Sequence, residues 1–294
     1  PDHLKKILSR QLNNSWNIYL IDNHQQLLFM ETYFPNTSIL HAFKSIHPGA
    51  RVAAADIWRY CALYAFGGVY MDDDAYIDVP FDDIIKPDDE FITAQEGNTY
   101  HDDCYRPHYN LSNYYLHHAY NTTIHHALFG NRNLVTWALF SKPKHQIIYE
   151  VLKQTVNILK QEYLHQSVVK LYPYDAKWKM VMCATGPIVF TAVARKMLLE
   201  HKLLYGEEAQ FPLRVVKKDY MDYGGNFKVM FYEYYHNENN TNYMSYMVKH
   251  NVPILSDYMP YNYNTLDNKP ISKDGKHSFL MKNGTKYYIQ DFDT

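Results

Sequence analysis

One stretch of the chain, residues 51–74, constrains the fold more than any other. Residues 51–66 are apolar around nearly the whole circumference of a helix, except at Asp56 and Arg59, so the pattern predicts a buried helix. The glycine pair that follows predicts that this helix stops at a residue with positive φ. The β-forming run 69–71 comes next, and a helix that leads into a buried strand favours an α/β fold with a parallel sheet.

Three consecutive carboxylates, Asp72, Asp73 and Asp74, are predicted to lie at the end of that strand. Like charges this close repel one another, and a hard divalent cation relieves the repulsion. An oxygen-rich site without cysteine suits Mg²⁺ or Mn²⁺, whose remaining positions are filled by phosphate oxygens and water. In extended geometry Asp72 and Asp74 share one face, so they are the predicted pair for metal and substrate. The alternative is a solvated acidic turn without a ligand.

Asp56 and Arg59 are three residues apart, so they are predicted to share one face of the buried helix. Buried charges are costly unless they are paired or bound to a ligand. Two interpretations follow from this spacing. The two side chains form a structural ion pair that closes on itself, or they face a cleft and fix sugar hydroxyls with directed hydrogen bonds.

The rest of the chain predicts further helices and strands on both sides of this segment. Apolar spacing predicts a strand over 16–22 and helices over 2–12, 26–34, 134–159 (one or two helices, broken near Pro143) and 188–201. Beyond residue 215 the chain is rich in Tyr and Asn, and Asn283-Gly284 predicts a hairpin over 279–289. No linker marks a boundary, so we expect a single domain over 1–294, with a core of about 1–235 and a C-terminal β-containing extension of about 236–294.

Composition excludes several classes of partner. The 294 residues include 29 Lys and Arg against 31 Asp and Glu, a formal charge of −2, so we expect no nucleic acid partner. No apolar run reaches the roughly 18 residues that a membrane span requires, so we expect no transmembrane segment. Three cysteines without metal-binding spacing predict neither a disulfide-dependent fold nor a structural zinc site. The location stays open between the cytoplasm and a lumenal ectodomain.

A composite motif of a D-x-x-R helix, a glycine turn and a Y-x-D-x-D strand end resembles the signature of the DXD-containing glycosyltransferases of family 32. In this chain its residues are Asp56, Arg59, Gly67, Gly68, Tyr70, Asp72 and Asp74. These enzymes are relatives of the yeast initiating mannosyltransferase and, more distantly, of the clostridial glucosylating toxins. The stretch 184–191 is similar to the T-G-P segment of the family, and residues 1–22 resemble part of its amino-terminal half.

The resemblance implies a GT-A fold, which is a Rossmann-like mixed sheet flanked by helices, with one nucleotide-sugar site and a divalent cation, commonly Mn²⁺. Transferred residue by residue, it implies that Asp56 and Arg59 hold the donor sugar and that Tyr70 lines the nucleotide pocket. It also implies that Asp72 contacts ribose or sugar and that Asp74 ligates the metal. Asp72 and Asp74 are therefore the predicted catalytic and metal-binding pair.

The function implied is metal-dependent transfer of a hexose or pentose from a UDP- or GDP-linked sugar to a hydroxyl of a glycan, a glycoprotein or another acceptor, with retention. The family has a His near a Ser-Trp that assists at the metal; this chain has no such pair near its end, which leaves His236, His250 and His277 as candidates. Two alternatives remain from other classes. One is a phosphohydrolase that uses D-x-D with the first Asp as nucleophile, and the other is a non-catalytic carbohydrate-binding relative.

Overall fold

The computed structural model describes residues 16–72, 75–77, 80–99, 132–166, 181–206, 209–216 and 227–229. Over these residues the chain is a mixed α/β structure in which a sheet is flanked by helices. This confirms the predicted α/β class and is consistent with a GT-A-like domain. The helix predicted over 2–12 and the extension predicted over 236–294, with its hairpin, lie outside the described residues.

Within the described residues, three helices precede the first strand. Helix α1 (Asn23–Tyr33) is capped at its N-terminus by Asp22. The Asp22 carboxylate accepts a hydrogen bond from the Gln25 backbone N–H, and the Gln25 side chain accepts one from the Asp22 N–H. This reciprocal pair satisfies two donors that a helix start leaves unpaired. Helix α2 (Ser38–Ser45) follows, and helix α3 (Arg51–Phe66) has the predicted bounds and is buried over most of its length. Residues 16–22 form no strand, so that prediction was wrong.

The turn after α3 depends on Gly67. Its φ is +66°, and its N–H donates to the Leu63 carbonyl, which ends the helix. A Cβ at this position would lie 2.7 Å from Pro143 Cδ and from the Ser141 carbonyl oxygen, so both the conformation and the space exclude a side chain. Strand β1 (Gly68–Met71) therefore follows the buried helix after a single residue, as the sequence predicts.

The other strands are β2 (Ala75–Ile77), β3 (Phe91–Thr99), β4 (Arg132–Leu134), β5 (Ala138–Ser141), β6 (Arg214–Val216) and β7 (Phe227–Val229). The larger sheet has the order β1-β5-β3-β4, with β6 also paired to β3, while β2 and β7 pair separately. Strand β1 runs antiparallel to β5, with Val69 opposite Phe140, and among the described strands only β3 and β6 pair in parallel. The parallel sheet expected around β1 was wrong, because a buried apolar strand has the same composition in either orientation.

Both faces of the larger sheet are covered. Phe91 and Leu139 pack with the helices, whereas their neighbours Ile92 and Phe140 point to the opposite face. There they meet a second apolar cluster that includes Phe81, from the short helix α4 (Phe81–Ile84). Alternating side chains point to opposite faces of a sheet, so a strand that is apolar at consecutive positions is buried on both sides.

Two long helices follow in the described part of the chain, α5 (Gln146–Gln166) and α6 (Pro187–Tyr205). The prediction of helix over 134–159 was correct only from residue 146, because residues 138–141 form β5. The helix predicted over 188–201 is confirmed as α6. Among the described residues, Val181–Tyr205 is the one helical stretch long and apolar enough to cross a membrane, and 83% of its most apolar window is buried inside the protein, so it is weak evidence for a span.

Two cysteines lie within the described residues. Cys61 is free and fully buried in α3, whereas Cys183 is disulfide-bonded. The expectation that the fold does not depend on a disulfide framework stays a prediction. Three cysteines without a recognisable spacing do not reveal a single pairing, because cysteines that are distant in sequence can be adjacent in the fold.

Candidate active site

Helix α3 carries two charged side chains into the interior of the protein. Asp56 and Arg59 are 3% and 4% exposed, and Arg59 Nη2 lies 3.1 Å from Asp56 Oδ1. Their spacing of three residues places both on the same side of the helix, as the sequence predicts. An ion pair in such an environment is stable only when its remaining polar atoms also find partners.

Arg59 connects α3 to two segments at the sheet, the β4–β5 turn and the end of β1. Its Nη1 donates to the Thr136 carbonyl oxygen at 2.7 Å, in the turn between β4 and β5. Its Nη2 lies 3.2 Å from Asp72 Oδ1, at the end of β1. The guanidinium carbon also lies 4.6 Å from the centroid of the Tyr70 ring, within the range of a cation–π contact. A single guanidinium therefore fixes the relative positions of α3, β1 and the β4–β5 turn.

The Nε of Arg59 is buried and has no hydrogen-bond partner among the described residues. A buried donor without a partner costs free energy, and most such donors in folded proteins are satisfied by protein, water or ligand. Nε is therefore a donor to which a ligand oxygen could bind.

Tyr70 and Asp72 form the partly exposed end of this arrangement. The Tyr70 hydroxyl donates to Asp72 Oδ1 at 2.5 Å, and the Asp72 backbone N–H donates to the Trp137 carbonyl at 2.9 Å. The side chain of Asp72 is 30% exposed, in contrast to the buried Asp56. Its described side-chain contacts all involve Oδ1, so Oδ2 keeps lone pairs for a further donor or a cation.

Thr185 completes the buried end of the arrangement. It lies two residues before the start of α6 and is fully buried, and its hydroxyl donates to Asp56 Oδ2 at 2.8 Å. The two carboxylate oxygens of Asp56 are thus bound separately, Oδ1 by Arg59 and Oδ2 by Thr185. We refer to Asp56, Arg59, Tyr70, Asp72 and Thr185 as the Arg59 network.

Burial has the largest effect on the pKa values of Asp56 and Tyr70, whereas neighbouring groups outweigh it at Arg59. It raises the pKa of Asp56 to about 6, against the lowering effects of the Arg59 charge and the Thr185 hydrogen bond. Burial also raises the pKa of Tyr70 well above its ordinary value, with Arg59 again opposing the shift. For Arg59 burial alone would lower the pKa, but Asp72, Tyr70 and Asp56 outweigh it and leave the value above normal. Arg59 therefore stays charged, whereas the protonation of Asp56 changes near pH 6.

The structure brings together four of the five residues predicted for the site, namely Asp56, Arg59, Tyr70 and Asp72. Asp73 and Asp74 lie outside the described residues, as do the three candidate histidines, His236, His250 and His277. Within the described ranges, no three His, Cys, Asp or Glu side chains are grouped closely enough to hold a metal ion.

The sequence did not identify two contributors to the network. Thr136 takes part through its carbonyl oxygen, so its side-chain type carries no signal. Thr185 belongs to the T-G-P stretch, for which the sequence indicates only a similarity to a family segment and no role in the site. Its hydrogen bond to Asp56 joins residues that are far apart in sequence. A hydrogen bond between such distant residues depends on how α6 packs beside α3, which local patterns do not encode.

Comparison with known proteins gives a match over part of the chain. Residues 3–92 match a family model described as a glycosyltransferase sugar-binding region containing the DXD motif. The matched stretch contains Asp56, Arg59, Tyr70, Asp72 and Asp74. No curated protein matches the chain. The match supports a glycosyltransferase family and hence glycosyl transfer, while membership of family 32 and kinship with the glucosylating toxins stay predictions.

Proposed function

We propose that this protein transfers a sugar from a UDP- or GDP-linked donor to a hydroxyl of a glycan or glycoprotein acceptor, with the help of Mn²⁺ or Mg²⁺. The observation that carries the proposal is the Arg59 network, in which a buried Asp–Arg pair is joined directly to the partly exposed Asp72 at the start of the D-x-D sequence. An acidic turn in solvent does not require an ion pair or hydrogen bonds that fix its carboxylates. A ligand site requires them, because it must hold its first carboxylate, Asp72, in one orientation.

The chemistry of Asp72 fits a hard divalent cation. A carboxylate oxygen is the ligand type that Mn²⁺ and Mg²⁺ prefer, and Asp72 Oδ2 keeps lone pairs because the described contacts involve Oδ1. In this proposal Asp72 and Asp74 hold the ion. When bound, the ion supplies Lewis-acid stabilisation of the charge that develops on the departing nucleoside diphosphate.

The remaining residues bind and orient the donor. We assign Asp56 and Arg59 to the donor sugar and Tyr70 to the nucleotide pocket, with Asp72 also in contact with ribose or sugar. The buried Arg59 Nε supports this assignment, because an oxygen of the sugar or the diphosphate would satisfy a donor that has no partner in the described structure. Retention of the anomeric configuration follows from the resemblance to family 32 and is part of the proposal.

A thermal-shift panel with nucleotide sugars, with and without Mn²⁺, tests the proposal. A ligand that binds only the folded state raises the melting temperature, so UDP-glucose, UDP-galactose, UDP-N-acetylglucosamine and GDP-mannose are compared with UDP and GDP. We expect one nucleotide sugar to stabilise the protein, with a larger shift when Mn²⁺ is present. The same donor should be hydrolysed slowly in a Mn²⁺-dependent reaction.

Two variants test whether Asp74 itself is required or whether any nearby carboxylate can replace it. Asp74→Asn should abolish donor hydrolysis and the Mn²⁺-dependent part of the shift, whereas Asp83→Asn, an exposed carboxylate on α4, should retain both. Full activity of Asp74→Asn would remove the metal assignment. Metal-dependent release of phosphate from a simple monoester without donor hydrolysis would favour the phosphohydrolase, and sugar binding without any turnover would favour the binding protein.

A further inference from the structure

The hydroxyl of Thr185 has one hydrogen and two acceptors within reach. It lies 2.8 Å from Asp56 Oδ2 and 3.2 Å from the Val181 carbonyl oxygen. A hydroxyl donates one hydrogen bond, and a carboxylate is a stronger acceptor than a neutral carbonyl. The shorter contact, to Asp56, therefore takes the hydrogen whenever Asp56 is ionised.

The backbone around Thr185 is held firmly enough to fix the direction of this bond. The N–H groups of Thr185 and Gly186 both donate to the Val181 carbonyl, at 3.0 and 2.9 Å. A Cβ on Gly186 would lie 3.0 Å from Met182 Cα, so the turn is packed against its own chain. Pro187 then begins α6 with a restricted φ. The hydroxyl is thus presented to Asp56 by a rigid turn.

Thr185 is completely buried and its one hydroxyl hydrogen is donated to Asp56, so we expect it to act through Asp56 rather than on a substrate directly. It is nevertheless connected to the exposed end of the site through shared partners. Thr185 binds one oxygen of Asp56, Arg59 binds the other, and the same Nη2 of Arg59 reaches Asp72. If the carboxylate of Asp56 rotated, the Nη2 that it shares with Asp72 would lose its alignment.

We propose that Thr185 is a positioning residue of the donor site, whose hydroxyl orients the Asp56 carboxylate and thereby keeps Arg59 aligned on Asp72 and the donor sugar. This inference rests on the proposed function. It adds that part of the sugar specificity is set from the α6 side of the protein, by a residue outside the stretch that the glycosyltransferase family model matches.

Matched variants isolate the hydroxyl. Thr185→Val keeps the shape and removes the O–H, while Thr185→Ser keeps the O–H and removes a methyl group. We expect Thr185→Val to lose about tenfold or more in affinity for the nucleotide sugar with Mn²⁺, since a hydrogen bond to a charged group is at stake. Thr185→Ser should bind like the wild type. For bare UDP or GDP with Mn²⁺ we expect Thr185→Ser to match the wild type and Thr185→Val to lose clearly less affinity than it loses for the nucleotide sugar. Asp56 and Arg59 act on the sugar, whereas the metal is affected only through the contact of Arg59 with Asp72.

Thr191→Val, in α6, is the control for loss of a buried hydroxyl close to Thr185 in sequence. The Thr191 hydroxyl donates to the Pro187 carbonyl and accepts from the Leu134 N–H, so it supports α6 and β4 without touching the Arg59 network. This variant should melt earlier than the wild type and keep the wild-type ratio of nucleotide-sugar to nucleotide affinity. A change in that ratio is a readout that a purely structural threonine does not give.

The outcomes are distinct. Unchanged sugar affinity in Thr185→Val, an equal loss in Thr185→Ser, or a parallel loss of nucleotide and nucleotide-sugar affinity would each overturn the positioning role and leave the proposed function intact. If the wild type binds none of the nucleotide sugars, both proposals fall. Should Thr185→Val not fold, Thr185→Ser and Thr185→Ala replace the pair, because they differ only in the hydroxyl.

Discussion

At the scale of single residues, Asp56 shows how burial and pairing compete. Burial raises its pKa from 3.8 to about 6, and neither the Arg59 charge nor the Thr185 hydrogen bond fully compensates. Because the folded protein then binds this proton more tightly than the unfolded chain, the stabilising effect is complete below about pH 4 and is lost as the pH rises through 6. The loss amounts to roughly 3 kcal/mol at 1.36 kcal/mol per pKa unit.

We therefore expect Asp56→Asn to remove one component of the pH dependence of stability. Measured by urea unfolding at pH 4, 5, 6 and 7, the unfolding free energy of the wild type should decline relative to that of the variant across this window. The Asn side chain does not titrate, so the difference between the two proteins reports Asp56. A difference that stays constant over the whole range would show that the pKa of Asp56 is not raised.

Arg59→Lys should damage use of the donor sugar while conserving the charge. The guanidinium reaches Asp56, Asp72 and the Thr136 carbonyl from two nitrogens, and an ammonium group cannot bridge three acceptors in that geometry. We expect kcat/KM for donor hydrolysis to fall by at least about tenfold, the equivalent of one charged hydrogen bond. Arg51→Lys, at the exposed start of the same helix, is the control, and equal kinetics in both variants would contradict the role of Arg59.

At the scale of elements, the join between α3 and β1 places the two halves of the site beside each other. Gly67 and Gly206 both have positive φ, but only Gly67 has neighbours within reach of a Cβ, at 2.7 Å. Gly206→Ala should cost about 1–3 kcal/mol, from conformational strain alone, because its φ of +94° and ψ of 163° lie in a region that is almost restricted to glycine. Gly67→Ala should cost clearly more, because backbone atoms of residues 141 and 143 must also move. Chemical denaturation of both variants checks this, and equal losses would show that the close packing has no energetic effect.

The sequence predicts an element well where an apolar run of clear length ends at glycine or proline, and poorly where the length and the end of the run are ambiguous. Helix α3 has the predicted bounds because a glycine pair ends a long apolar run. Strand β5 was missed because residues 134–159 are apolar on both sides of Pro143, and short apolar runs fit a buried strand as well as a buried helix. The pairing of β1 with β5 could not be predicted either, since it depends on which segment the fold brings alongside.

At the scale of the whole molecule, the candidate site is built from segments that are far apart in sequence. Asp56, Arg59, Tyr70 and Asp72 lie within one short stretch, which is why the motif alone could identify them. The Thr136 carbonyl and the Thr185 hydroxyl come from beyond that stretch and become partners only after the sheet and α6 have formed. Recognition of the motif therefore predicts where the chemistry lies but not what supports it.

The antiparallel neighbour of β1 has a practical consequence for anyone preparing smaller pieces of this protein. A recombinant fragment cut after residue 92 would contain the whole recognisable motif, yet it would leave β1 with an unprotected edge and Arg59 without the carbonyl that now receives its Nη1. Such a fragment would expose apolar surface from both sides of the sheet and invite aggregation. The shortest useful expression unit has to include β6, which pairs with β3, and β7, which pairs with β2, so it has to reach at least Val229.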